Sequence, residues 1–82
     1  MTPTSLDYAL TRYAVEFRRR EDMGAGYGAS LDLGAFVAGW YLAIHGLPVP
    51  ALEIGHPARS SFAAGHREAT SAAAVAKSRG EM

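Results

Sequence analysis

With 82 residues the chain is one small domain, of a size that buries only about 60 to 65% of the surface its unfolded form exposes. Its 8 Lys+Arg balance 8 Asp+Glu, which leaves no overall field for nonspecific nucleic-acid binding. Cysteine is absent, so no disulfide staples the fold, and a reducing, cytoplasmic setting is expected. MTPTSLDYAL has neither a basic start nor a continuous apolar run, so no secretory signal is expected either.

The first element is predicted as a helix over about 5–22, with Thr4 as N-cap and Asp7 in the capping-box position. Leu6, Ala9, Leu10, Tyr13, Ala14 and Phe17 repeat at helical spacing and mark the face expected to pack. The opposite face carries Arg12, Glu16, Arg19 and Arg20, with Glu16 four residues ahead of Arg20 in the favourable order for an exposed ion pair. Tyr8 and Val15 lie on the flank. Arginines at a helix C-terminus complement its dipole, and Gly24 is expected to close the helix with positive φ.

MGAGYGAS then forms a glycine loop long enough for the next helix to fold back antiparallel, with Ser30 as its expected N-cap. Residues 31–45, LDLGAFVAGWYLAIH, are predicted as a helix apolar on every side and therefore buried. Ala35, Gly39 and Ala43 recur every four residues, beside a row of Gly34 and Ala38, and make a groove into which another backbone can come close. At 1.5 Å per residue this helix reaches about 22 Å, short of the ~30 Å of a bilayer core, and Pro48 and Pro50 stop it. A membrane span is therefore not expected.

Gly46 reads as the C-terminal cap of that helix, and LPVPALEIGHP as an extended connector whose Leu47, Val49, Leu52 and Ile54 lie along the hairpin. A strand pairing with a second copy is the lesser alternative. A third, weaker helix is predicted from Pro57 to about residue 70, with Phe62 and Val75 as its large anchors and Ala63, Ala69, Ala73 and Ala76 as a thin stripe. Alanine surface alone offsets little ordering entropy, so 71–82 is expected to fray as an extension of a domain spanning 1–70.

The fold class that follows is all-α: a helical hairpin plus a third helix. Two short helices look insufficient to cover the central one, so copies of the chain are expected to assemble into a homo-oligomeric bundle, most simply a dimer. Its interface would be Ala35, Phe36, Gly39, Trp40 and Ala43.

No nucleophile motif is present, and no serine has a recognisable His and acid context, so no catalytic residue is assigned. His45, His56 and His66 match no zinc spacing, and neither metal nor cofactor is expected. A central helix without polar side chains for a groove, and acids interrupting the basic face of the first helix, disfavour nucleic acid. By elimination the sequence points to a small non-enzymatic regulator, adaptor or stoichiometric inhibitor, binding a larger protein through Arg12, Glu16, Arg19, Arg20 and Tyr8. The alternative is a module for a small anion or nucleotide, held by Arg18, Arg19, Arg20 and the loop at Gly28, with Tyr27 stacking on a base.

Overall fold

The computed structural model describes residues 5–24, 31–53, 55–78 and 80, which form three helices: α1 (Leu6–Met23), α2 (Leu33–Ile44) and α3 (Arg59–Ser78). No strand occurs among the described residues. No helix among them is long and apolar enough to cross a membrane.

The first two helices start on caps one and two residues from the predicted ones. Ser5 caps α1, its hydroxyl accepting from the Tyr8 N–H at 3.0 Å; Thr4 lies outside the described residues. Asp32, not Ser30, caps α2, its carboxylate accepting from the Ala35 N–H at 2.7 Å. Ser30, like Tyr27, Gly28 and the rest of 25–30, lies outside the described residues. Asx and Ser side chains compete for the same orphan amides, so a run such as Ser-Leu-Asp fixes a helix start only to within a turn.

At the other ends, Gly24 closes α1 with positive φ as expected, at φ 158° and ψ 157° in the region that only glycine adopts freely, its N–H on the Glu21 carbonyl at 3.3 Å. Gly46, at φ 72°, closes α2 in the left-handed conformation. There the Gly46 N–H meets the Ala43 carbonyl at 3.0 Å and the Leu47 N–H meets the Leu42 carbonyl at 2.8 Å, the paired bonds of a Schellman cap.

The connector is irregular, with Val49 and Leu52 half-buried and Leu47 exposed; Ile54 lies outside the described residues. His66 anchors it from α3, its Nε2–H donating to the Leu47 carbonyl at 2.8 Å. His56 accepts the Ala58 N–H on Nδ1 at 3.1 Å, and α3 begins two residues past Pro57.

The helix then runs on to Ser78, through most of the stretch expected to fray, with Ala72 and Ala76 buried. Alanine is the best helix former and loses no side-chain entropy on burial, so a small-residue helix persists where a neighbour comes close enough to cover it. The stripe it buries matches the predicted one in part: Ala69 and Ala76 are inside with Phe62 and Ala73 half-buried, but Ser61, Ala64, Gly65 and Ala72 are buried too, whereas Val75 is half-exposed and Ala63 exposed.

Packing is tightest between α2 and α3. A Cβ on Gly39 would fall inside the Phe62 carbonyl, with the carbonyl carbon at 3.0 Å and the His66 nitrogen at 3.1 Å; a Cβ on Gly65 would fall inside the Phe36 carbonyl. Each helix thus receives the other's backbone at a glycine, the geometry that small residues four apart permit. Asp32 meets Ser61 and Phe36 meets Gly65, so both helices advance in the same direction through the contact.

Phe36 and Trp40 are fully enclosed, in a cluster with Ala9, Leu31, Ala64, Ala69 and Ala72. This overturns the reason given above for a second chain. Ala35, Phe36, Gly39 and Trp40 are buried by helices of their own molecule, and Ala43 is half-buried. The groove foreseen in α2 is real, but α3 fills it.

The first helix docks antiparallel across this pair. Tyr8 sits 5.6 Å from Trp40 between ring centroids, and Tyr13 meets Phe36 edge-on at 5.5 Å while donating its hydroxyl to the Leu31 carbonyl at 2.8 Å.

Candidate functional site: the two faces of the first helix

On a helix, residues 100° apart in projection face different neighbours, so the orientation of α1 decides which of its side chains remain available. Ala9 and Glu16 are its buried residues, with Tyr8, Arg12, Tyr13 and Arg20 beside them. The docked face is therefore centred about a quarter-turn from the predicted apolar stripe. A face expected to be solvated is inside, and much of the apolar face is outside.

The inner face is ionic. Arg12 reaches across to Glu68 of α3 with Nε at 3.2 Å and Nη2 at 3.1 Å from one carboxylate oxygen. Glu16, its side chain 3% exposed, lies among three guanidiniums. Arg19 grips it with Nη2 on Oε1 and with Nε on Oε2 at 3.0 Å; Arg20 Nε reaches Oε1 at 3.2 Å; Arg67 of α3 approaches Oε2 at 3.6 Å. Arg20 also donates to the Ser60 hydroxyl at 3.3 Å.

The hydrogen bond from Arg19 holds the Glu16 carboxyl below the ordinary carboxylate range, partly opposed by burial and reinforced by Arg20 and Arg67. The same bond raises the Arg19 guanidinium above its ordinary value. Among the described residues no buried side-chain nitrogen or oxygen lacks a partner.

These contacts change the reading of the predicted partner-binding set. Tyr8, Arg12, Glu16 and Arg20 are engaged within the chain, on Trp40, Glu68, the arginines and Ser60. Only Arg19, with 54% of its side chain exposed, keeps a large free surface. Of the anion-binding set, Arg18 is exposed on a different side of α1, while Tyr27 and Gly28 lie outside the described residues. Arg18, Arg19 and Arg20 point to different sides of α1, because consecutive helical residues diverge. Ser60, Arg67 and Glu68 were missed. Nothing local in the third helix says which of its faces meets α1, and this pairing spans more than half the chain.

The outer face is apolar. Leu6 is 48% exposed, Leu10 38% and Phe17 37%, with half-buried Tyr13 and exposed Ala14 completing the row. Asp7 and Arg18 flank it, both exposed. On α2, Leu33 and Tyr41 are also partly exposed.

The histidines are dispersed. His45 ends α2, His56 caps the turn before α3 and His66 holds the connector. Among the described residues no three His, Asp or Glu side chains are grouped as metal ligands. Comparison with protein families, with characterised proteins and with solved structures gives no match.

Proposed function

We propose that this chain is a non-enzymatic protein-binding module that works as a homodimer, its two copies joined through the outer face of α1. One observation carries the reading: an amphipathic helix is attached by its polar flank, which leaves Leu6, Leu10 and Phe17 of its apolar row 48%, 38% and 37% exposed. Spacings of four, three and four residues between Leu6, Leu10, Tyr13 and Phe17 are those of a helix–helix seam.

A second copy suits this seam because the row and its charges are self-complementary under a two-fold axis. Placing Leu6 over Phe17 of an antiparallel mate brings Leu10 over Tyr13, and it sets Asp7 beside Arg18 on both sides of the axis. Burying the exposed halves of Leu6, Leu10 and Phe17 in both copies supplies about 6 kcal/mol before the cost of association. That predicts a reversible dimer. It presents every remaining surface twice, which suits a regulator, adaptor or stoichiometric inhibitor of a larger protein.

Sedimentation equilibrium tests the proposal up to about 1 mM, where even about −4 kcal/mol of association is visible. The wild type is expected to dimerise, and Leu10→Glu or Phe17→Glu to be monomeric. Asp7→Arg and Arg18→Asp should each weaken the dimer, and the double swap should restore it. A wild type that stays monomeric over the whole range refutes self-pairing, and so does a double swap no better than either single change.

A further inference from the structure

Across α1 from the apolar row, the ionic seam with α3 holds more positive charge than it neutralises. Arg12, Arg19, Arg20 and Arg67 face Glu16 and Glu68, and no other ion pair reaches these six among the described residues. Glu68 takes Arg12 and buried Glu16 is shared by the other three, so two positive charges are left over.

They are left at the surface. Arg20 is 14% exposed, whereas Arg19 and Arg67 are 54% and 59% exposed. Arg67 approaches Glu16 at 3.6 Å, beyond hydrogen-bond range, and its N–H donors have no protein acceptor among the described residues. The outer nitrogen of Arg19, Nη1, has only the Met23 sulfur, a weak acceptor, at 3.2 Å.

Both guanidiniums approach the same oxygen of Glu16, Oε2, one from α1 and one from α3. They are therefore neighbours that repel each other, aligned by a buried carboxylate and held open to solvent.

We propose that Arg19 and Arg67 form a binding site for a phosphate group, at the seam between α1 and α3. Two planar forks with free donors match a tetrahedral dianion in charge and in donor geometry, better than a carboxylate monoanion would. Glu16 acts as a positioning residue: it orients both arginines from below and leaves their outer edges to the ligand. The site differs from the arginine set that the sequence suggests, since Arg18 points elsewhere and Arg67 comes from α3. It is also independent of the dimer, whose seam lies on the opposite face of α1.

The test is titration of the intact chain with inorganic phosphate at constant ionic strength, read from the arginine Nε–H resonances, with acetate and chloride as comparison anions. Saturable shifts of the Arg19 and Arg67 signals with phosphate, and weak unsaturated ones with acetate, are expected. Arg67→Gln should weaken phosphate at least about tenfold, the equivalent of one charge-assisted hydrogen bond. Arg67→Lys, which keeps the charge but not the fork, should fall between, and Arg18→Gln should bind as the wild type does. Parallel melting curves in chloride separate loss of binding from loss of fold. Shifts that never saturate, or equal weakening by Arg18→Gln and Arg67→Gln, would overturn the site.

Discussion

Replacing a helical glycine by alanine has opposite expected effects at two positions of α2. At Gly34 the added methyl group meets only the Asp32 carboxylate, at 3.4 Å, and the position is exposed. The substitution should stabilise the protein by up to about 1 kcal/mol, the difference in helix propensity. Gly39 gains the same propensity, but its methyl group would occupy the Phe62 carbonyl.

A backbone carbonyl cannot rotate away as a side chain does, so α2 and α3 must separate. The overpacking cost of about 1 to 3 kcal/mol is then joined by loosened contacts around Phe36 and Trp40. The net loss should be about 1 to 3 kcal/mol, a large part of the ~4 to 12 kcal/mol available to a domain of this size. Thermal unfolding resolves it, since 1 kcal/mol moves the midpoint of such a domain by about 4 to 8 °C. Gly34→Ala should melt at or above the wild type and Gly39→Ala well below it. If Gly39→Ala melts with or above the wild type, the two backbones are not in contact there, and the account of the core given above fails.

Further expectations concern other parts of the fold. Gly65→Ala, which meets the Phe36 carbonyl from the other side, should destabilise as Gly39→Ala does, and the double variant should lose less than the sum once the helices have parted. Ser61 is fully buried and its hydroxyl accepts the Asp32 N–H at 2.8 Å, so Ser61→Ala should cost about 1 to 2 kcal/mol in urea unfolding. Glu16 has its carboxyl pKa lowered in the folded state, so its contribution is complete above the unfolded value near 4.5 and is lost as pH falls through the folded value. Unfolding free energy should therefore drop below about pH 4.5, and Glu16→Gln, which costs about 1 to 3 kcal/mol at pH 7 because Arg19 and Arg67 are half in water, should flatten that drop. Ending the chain at residue 70 should lower the melting temperature, because Ala72 and Ala76 are buried; an unchanged melting curve would place those residues outside the cooperative unit.

The helical class, the approximate extent of α1 and α2 and the close-packing row Ala35 and Gly39 were legible, because apolar period and small-residue spacing are local properties of the sequence. The partner of that row was not. Part of the reason lies in α3, whose buried face is written in Ser61, Ala64, Gly65 and Ala69, residues with little hydrophobic signal that matter through what they leave out. Hydrophobic bulk is what periodicity detects, and at Gly39 and Gly65 the contact depends on its absence. The facing of α1 was misjudged for the converse reason. Leu6, Leu10 and Phe17 carry the stronger apolar signal, yet Glu16 goes inside because arginines from two helices satisfy it, which no single stretch of sequence reveals.

The fold therefore has two kinds of attachment, one insensitive to salt and one sensitive to it. Between α2 and α3, main chain rests on main chain; α1 is secured by two tyrosine rings and a set of charges at the water boundary. Ionic strength screens the second and leaves the first untouched. Rising salt should speed amide hydrogen exchange in α1 before it does so in α3, and a lifted α1 would uncover Trp40, giving its fluorescence a direct report of that opening.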